Sequence, residues 1–288
     1  MGERAIEATE LTYRYGTLTA VDSISFHVDR GEILGFLGPN GAGKSTTIRM
    51  LTGQLRPLKG RAVLLGTDVA KDTESVQARI GVCFERTNLY EQMSAEENIA
   101  LFARLFGIRG FRAEPLLVRV GLKGRERDRV ESYSKGMKQR LMVARSLVNS
   151  PEILFLDEPT DGLDPVSAES IREIILEERE KGTTVFLTTH DMSEADKLSD
   201  RVAFINRGCI EALDTPHNLK QKYGNRRIDV EVLTGEGTLE KREIILDQEE
   251  TASTVHRLFK EDKVVTLHSA EATLEDIFIR ITGRGLEG

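Results

Sequence analysis

The stretch GPNGAGKS, residues 38–45, follows the apolar run ILGFLG and precedes the helical pattern TTIRMLT. Gly38, Gly43, Lys44 and Ser45 fit the spacing G-x-x-x-x-G-K-S, and a strand before it and a helix after it are the context that this spacing requires. Glycines let the backbone N–H groups turn inward without a Cβ clash, and a helix N-terminus adds partial positive charge. The stretch therefore predicts a loop that binds the phosphates of a nucleoside triphosphate.

Within this loop, two side chains are expected to do chemistry. Lys44 is expected to reach the β- and γ-phosphates and to assist catalysis, and the Ser45 hydroxyl is expected to ligate Mg²⁺. The other expected contacts to the nucleotide are Gly38, Pro39, Asn40, Gly41, Ala42, Gly43 and Thr46. ATP and Mg²⁺ are therefore the predicted ligands.

Acidic residues follow a second apolar run, in ILFLDEPTDGLDP at 153–165. Two adjacent acids at the end of a buried strand are costly unless a cation lies beside them, and Mg²⁺ is such a cation. Asp157 is expected to hold the metal through water, and Glu158 to polarise the attacking water as a general base. His190 ends a further apolar run, TVFLTTH, and is predicted to contact the γ-phosphate, because neighbouring strand ends converge on one crevice.

The buried strands alternate with helical patterns, which predicts an α/β fold with a mostly parallel sheet covered on both faces. The predicted core is of the P-loop NTPase type, and the first 30 residues are expected to add an antiparallel edge. Residues 88–150 have helical periodicity and are predicted to form a helical insertion. The ATPase domain is predicted to cover 1–222, and the order ββαβα predicts a small α+β appendage at 225–288.

Composition narrows the classes of function. The net charge of −7 argues against general nucleic-acid binding, although residues 109–140 contain ten Lys/Arg against four Asp/Glu. The two cysteines, Cys83 and Cys209, form no metal-binding pair and are expected to be reduced and partly buried. No apolar run approaches the ~20 residues of a membrane-spanning helix, and no secretory signal is present, so a cytoplasmic location is expected.

Together these motifs resemble the nucleotide-binding subunit of ABC transporters over about residues 1–220. The segment YSKGMKQR at 133–140 stands where that family has LSGGQQR, so Ser134 and Gly136 match while Tyr133, Lys135 and Met137 depart. The resemblance implies that Ser134 and Gly136 contact ATP held by an opposite subunit. It also implies that the segment DGLD at 161–164 places Asp164 at the subunit interface.

Two further residues take their expected roles from the resemblance. Tyr15 is at the distance where the family has an aromatic residue that stacks on adenine, although a tyrosine at a strand end is also common in a core. Glu85 stands where the family has a glutamine that contacts Mg²⁺ and links the site to the membrane subunit. The alternative is that Gln92, seven positions later, is the corresponding residue.

The resemblance implies two partners: a second copy of the chain or a related ATPase subunit, and a separate transmembrane permease that docks near residues 85–107. The chain would then lie peripherally on the cytoplasmic face of the membrane. The segments SKGMKQR, EPTDGLDP and TLEDIFIRITGR are similar to the bacterial and archaeal ABC-2 subgroup of drug or sodium exporters. Two alternatives remain open at this point, a soluble ABC protein acting on the ribosome or DNA and an ATP sensor that does not hydrolyse.

Overall fold

The computed structural model describes residues 3–224, 227–233, 238–246, 251–261, 263–283 and 285. The chain divides into two compact units, Met1–Leu213 and Asp214–Gly288. Within the described ranges, no helix combines the length and the apolar character needed to cross a bilayer.

The strands and helices are numbered in chain order. From the start to residue 151 they are β1 (Arg4–Tyr15), β2 (Leu18–Asp29), β3 (Ile33–Leu37), α1 (Lys44–Leu51), β4 (Lys59–Leu64), β5 (Thr67–Asp68), α2 (Thr73–Ala78), β6 (Ile80–Cys83), α3 (Ala95–Leu105), α4 (Glu114–Arg119) and α5 (Lys135–Ser146). After residue 151 they are β7 (Ile153–Asp157), α6 (Pro165–Glu180), β8 (Thr184–Thr189), α7 (Met192–Leu198), β9 (Arg201–Asn206), β10 (Cys209–Asp214), α8 (Pro216–Tyr223), β11 (Arg227–Leu233), β12 (Leu239–Ile245), α9 (Thr251–Glu261), β13 (Lys263–Ala270) and α10 (Leu274–Thr282).

The central sheet of the first unit has the strand order β10-β9-β3-β8-β7-β6. The pairs β9·β3, β3·β8, β8·β7 and β7·β6 are all parallel. The carboxyl ends of β3, β8 and β7 therefore lie side by side at one edge of the sheet, which is where ligands bind in open α/β sheets. The predicted α/β fold is confirmed.

Both faces of the central sheet are buried, because β3, β7 and β8 consist of residues that are buried without exception. Four phenylalanines pack on one face, with Phe186 at the centre of the group. Its ring centroid lies 5.9 Å from that of Phe26, 5.2 Å from Phe36 and 5.7 Å from Phe155. A fully buried side chain of this size contributes about 1.5–3 kcal/mol relative to an exposed one, so this cluster anchors the strands that carry the site.

The antiparallel strands form a sheet of their own, in the order β2-β1-β4-β5, and are not an edge of the central sheet. Residues 88–150 hold α3, α4 and α5, as their periodicity predicts. Ser94 and Glu97 form a capping box at the start of α3, with each side chain bound to the backbone N–H of the other residue.

The second unit follows the predicted order ββαβα, from β11 to α10, and begins with α8. Its sheet has the order β12-β11-β13 with antiparallel pairs, and Val230, Val232, Ile244 and Leu258 form its core. α8 belongs to this unit and packs against α10. The compact units thus divide before α8, whereas the predicted domain boundary lies after it, and the roles assigned to the two domains stay predictions.

Candidate functional site

The loop between β3 and α1 is shaped by glycines that have no room for a side chain. Gly43 has a φ of 113°, and a Cβ at this position would lie 2.5 Å from the Ala20 carbonyl oxygen. A Cβ on Gly38 would lie 2.1 Å from the Ile205 carbonyl oxygen. The turn therefore requires glycine at both positions, and it leads directly into the N-terminus of α1, where free N–H groups face an incoming anion.

Lys44 is folded back over this loop. Its Nζ donates to the carbonyl oxygens of Gly38, at 2.6 Å, and Pro39, at 3.2 Å. The same ammonium lies 3.0 Å from Glu158 Oε1, and both side chains are almost completely buried. The cation that the sequence requires beside the acids at 157–158 is therefore supplied within the chain, by Lys44.

Glu158 and His190 form a hydrogen-bonded pair at the adjacent ends of β7 and β8. His190 Nδ1 lies 2.9 Å from Glu158 Oε2, and the backbone N–H of His190 donates to the same oxygen at 3.3 Å. Because a carboxylate only accepts, Nδ1 carries the proton in this arrangement, and Nε2 lies 3.8 Å from Asp161 Oδ1. Glu158 has a φ of 51°, so the backbone leaves the extended conformation directly after β7.

Thr188 holds both acids in place and was missed by the sequence reasoning. Its hydroxyl donates to Asp157 Oδ1 at 2.6 Å, and its carbonyl oxygen accepts from the Glu158 N–H at 3.1 Å. A polar residue inside the fully buried run TVFLTT was the available signal, since a buried hydroxyl must find a partner.

The three residues predicted to bind Mg²⁺ line one groove of about 470 Å³: Ser45, Glu85 and Asp157. Among the described residues, no group of three or more His, Cys, Asp or Glu side chains is arranged to hold a metal. One hydroxyl and one or two carboxylates are nevertheless what Mg²⁺ uses when phosphate oxygens and water complete its shell. Gln92, the alternative to Glu85, donates to Glu131 Oε2 at 3.0 Å and does not line this groove.

A second groove, of about 350 Å³, runs from Tyr15 along the phosphate loop to Glu158. The loop residues that line it are Asn40, Gly41, Gly43, Lys44, Ser45 and Thr46, and Leu18 and Ala20 complete the wall near Tyr15. Gly38, Pro39 and Ala42 of the same loop are not among its lining residues. The Tyr15 ring is 43% exposed and meets Tyr13 edge-on at 4.9 Å, so one of its faces can receive a planar ligand.

Ser134 and Gly136 are not brought to either groove. Ser134 is exposed and caps α5, where its hydroxyl accepts from the Met137 N–H at 3.2 Å. A Cβ on Gly136 would lie 2.5 Å from Ser167 Oγ on α6, so this glycine allows the two helices to pack closely. The Lys135 ammonium lies over Gly162, since a Cβ there would be 2.2 Å from its Nζ.

The basic stretch 109–140 is partly neutralised by carboxylates from elsewhere in the chain. Arg119 forms ion pairs with Glu177, at 2.7 Å, and Glu178, at 2.6 Å. Lys138 pairs with Glu91 at 2.5 Å, and Arg140 donates to backbone carbonyl oxygens. Part of the local excess of positive charge is therefore used in contacts within the chain.

Comparison with known proteins decides the family. The family described as "ABC transporter" matches residues 21–161. A fluoroquinolones export ATP-binding protein of Mycobacterium tuberculosis is 46% identical over 290 residues, which cover 99% of this chain and 96% of that protein. The chain is an ATP-binding subunit of the ABC transporter family. It binds ATP and hydrolyses it, as the family does.

Further relatives of this ABC subunit share its full length or its fold. A daunorubicin resistance ATP-binding protein of Streptomyces coeruleorubidus is 37% identical, covering 98% of this chain and 97% of that protein. The solved structure of an ATP-binding subunit of an ABC transporter is 30% identical, with a TM-score of 0.70 over 76% of this chain and 93% of the other. A dimeric ATP-binding cassette bound to ADP and Pi is 25% identical, with a TM-score of 0.67 over 73% of this chain and 98% of the other.

Proposed function

We propose that this ABC subunit pairs with a second ATPase subunit around two ATP molecules and drives a separate permease that exports its substrate. The contact that carries the proposal is the one between Lys44, Glu158 and His190, which joins the phosphate loop to the ends of β7 and β8. Relatives named for the export of fluoroquinolones and of Nod factor support the direction of transport. The transported molecule is recognised by the permease, so this chain does not specify it.

In this proposal each residue has one task at the nucleotide. Lys44 leaves Glu158 and binds the β- and γ-phosphates, while Glu158 accepts a proton from the attacking water. His190 donates to the γ-phosphate through Nε2, which requires the imidazolium form because Nδ1 already donates to Glu158. Tyr15 stacks on adenine.

Mg²⁺ fits the groove between Ser45, Glu85 and Asp157, where it would neutralise charge on the β- and γ-phosphates. Ser45 would offer its hydroxyl as a ligand, and Asp157, whose Oδ1 already accepts from Thr188, would hold the metal through water. Glu85 replaces a neutral amide by a carboxylate and so adds one negative charge at this edge.

The second subunit is needed because Ser134 and Gly136 lie away from the chain's own phosphate loop. Two dimeric structures of one cassette similar to this chain support the pairing. In the dimer, Ser134 at the start of α5 faces the γ-phosphate of ATP bound by the other chain. Asp164, whose carboxylate caps α6, lies at the same interface.

The permease is proposed to dock near residues 85–107, at an apolar groove of about 320 Å³ to which this segment contributes Asn88, Phe102 and Phe106. Phe84, Phe102 and Phe106 line it, and Asn88 joins it to the metal-binding groove. Docking there places the chain on the cytoplasmic face of the membrane. A movement of Glu85 and Asn88 on ATP binding would then be transmitted directly to the permease.

Mixing two inactive variants tests the shared site. Lys44→Ala disables the phosphate loop, and Ser134→Arg disables the contact to the opposite ATP. If each site draws on both chains, a mixed dimer regains one competent site, and random pairing restores roughly a quarter of wild-type phosphate release. If the mixture releases no more phosphate than each variant alone, the site is not shared in this way. Glu152→Gln, at the opposite end of β7 from the site, serves as a control that should release phosphate normally.

A further inference from the structure

Glu194 on α7 is a buried carboxylate that the proposed mechanism does not use. Its residue is only 2% exposed, and burial raises the pKa of the carboxyl above its ordinary value. Such a group is costly to bury unless its oxygens are hydrogen-bonded. The hydrogen-bond donors to this carboxylate therefore indicate its role.

Three side chains from three segments donate to Glu194. The Thr160 hydroxyl lies 2.7 Å from both carboxylate oxygens, Arg172 Nε lies 3.4 Å from Oε1, and the Thr189 hydroxyl lies 3.4 Å from Oε2. The Thr189 oxygen already accepts from the Asp191 N–H at 2.9 Å, so its proton is directed to Glu194. Both oxygens of the carboxylate are thus in use.

The positions of these donors connect Glu194 to the hydrolytic site. Thr160 follows Glu158 by two residues and begins the loop that leads to Asp164. Thr189 directly precedes His190, and Arg172 belongs to α6, the helix that this loop enters. One buried carboxylate therefore joins the strand end that bears the general base, the strand end that bears the histidine, and the helix behind the subunit interface.

Capping does not explain this carboxylate. The start of α7 is capped by Asp191, whose Oδ1 accepts from the N–H groups of Ser193 and Glu194. The Glu194 side chain points instead into the space between the ends of β7 and β8, where all three donors converge.

We propose that Glu194 is a positioning residue for ATP hydrolysis: it fixes the distance between Glu158 and His190 and the path of the loop 160–164. The proposal rests on the roles proposed for Glu158 and His190. Because the phosphate loop contributes no contact to Glu194, loss of this carboxylate acts on the chemical step and leaves ATP binding intact.

The test uses the full chain with Glu194→Ala, Glu194→Gln, Thr160→Val and Thr160→Ser. Glu194→Ala and Thr160→Val are expected to lower kcat by at least about tenfold, because small displacements of reacting groups are costly. Thr160→Ser keeps the hydroxyl and is expected to stay close to wild type. Glu194→Gln has one acceptor oxygen in place of two and is expected to fall between these limits. The affinity for a fluorescent ATP analogue is expected to change by less than about twofold in all four.

Glu178 provides a matched control, because it is also a buried carboxylate that binds a threonine and an arginine. It accepts from Thr183 at 3.2 Å and from Arg119 at 2.6 Å, away from both grooves. Glu178→Gln is expected to lower thermal stability without changing kcat. The inference is overturned if Glu194→Ala keeps wild-type kcat, if ATP affinity falls in parallel with kcat, or if Glu178→Gln loses kcat equally.

Glu158→Gln, measured alongside, separates this inference from the proposed function. If Glu158→Gln is inactive and Glu194→Ala retains wild-type kcat, only the positioning role fails. If Glu158→Gln itself turns over normally, the proposed function fails, and the positioning role fails with it.

Discussion

Glu158→Gln is expected to bind ATP more tightly than the wild type while losing turnover. In the structure, Glu158 and the phosphates of ATP compete for the same ammonium, because Lys44 Nζ lies 3.0 Å from Glu158 Oε1. ATP must displace this contact before Lys44 can bind it. A glutamine removes the competing charge and also the repulsion between the carboxylate and the γ-phosphate.

The size of the effect follows from the geometry. Two unit charges 3.0 Å apart attract by about 5.5 kcal/mol at an effective dielectric constant of 20. Most of this is offset, because Lys44 keeps the carbonyl oxygens of Gly38 and Pro39 and the glutamine keeps an acceptor oxygen. A net change of about 1.5 kcal/mol, the lower end of the range for a hydrogen bond to a charged group, remains. That difference corresponds to roughly tenfold tighter ATP binding, and loss of the general base lowers kcat by about 10²–10⁴-fold.

Titration with a fluorescent ATP analogue and a phosphate-release assay measure both quantities on the same sample. Asp161→Asn is the control, since it removes a nearby acid that touches His190 Nε2 at 3.8 Å and does not touch Lys44. Its ATP affinity is expected to stay within about twofold of wild type. Unchanged or weaker ATP binding by Glu158→Gln would refute the competition between Glu158 and phosphate.

Three further outcomes are expected. Gly43→Ala should abolish ATP binding while the chain stays folded, because its Cβ would lie 2.5 Å from a backbone oxygen at a φ of 113°; nucleotide titration and circular dichroism check this together. Native protein at pH 8 should react with iodoacetamide at the exposed Cys209 and not at Cys83, because burial raises the pKa of the Cys83 thiol to about 12. Labelling of Cys209 should increase with pH, since the pKa of its thiol is also raised. Mass spectrometry of the labelled peptides measures both sites, and equal labelling would contradict the prediction. Phe186→Ala should lower the free energy of unfolding by about 3–5 kcal/mol in urea, because it empties the centre of the phenylalanine cluster.

The sequence predicted those parts of the site that depend on local spacing. The phosphate loop 38–45 and the acids at the end of β7 each lie in one short segment, and few other functions use these residue types in that order. The buried strands were predictable as well, because apolar runs bounded by polar turns can be covered on both faces. The resemblance to a family supplied the roles of Tyr15, Ser134 and Glu85, which spacing alone does not indicate.

Contacts between distant segments were not predictable. Arg145 donates to the Asn88 carbonyl oxygen at 2.8 Å and lies 4.5 Å over the Phe102 ring, and no pattern in the sequence pairs these residues. Cys209 is exposed rather than partly buried, because it begins β10, the last strand in the order of the central sheet. The separate antiparallel sheet was not predicted, because alternating apolar and polar residues indicate that a segment is a strand but not which strand it pairs with.

The left-handed backbone of Glu158 sets a limit on how stable this ABC subunit can become. A residue with a Cβ and a φ of 51° is strained by about 1–3 kcal/mol, and glycine or asparagine relieves that strain. Any substitution that relieves this strain also removes the residue proposed to be the general base. Glu158→Gly relieves the backbone strain but leaves the buried Lys44 ammonium without its carboxylate partner, and it should release no phosphate, so a screen for stability needs turnover as a second criterion.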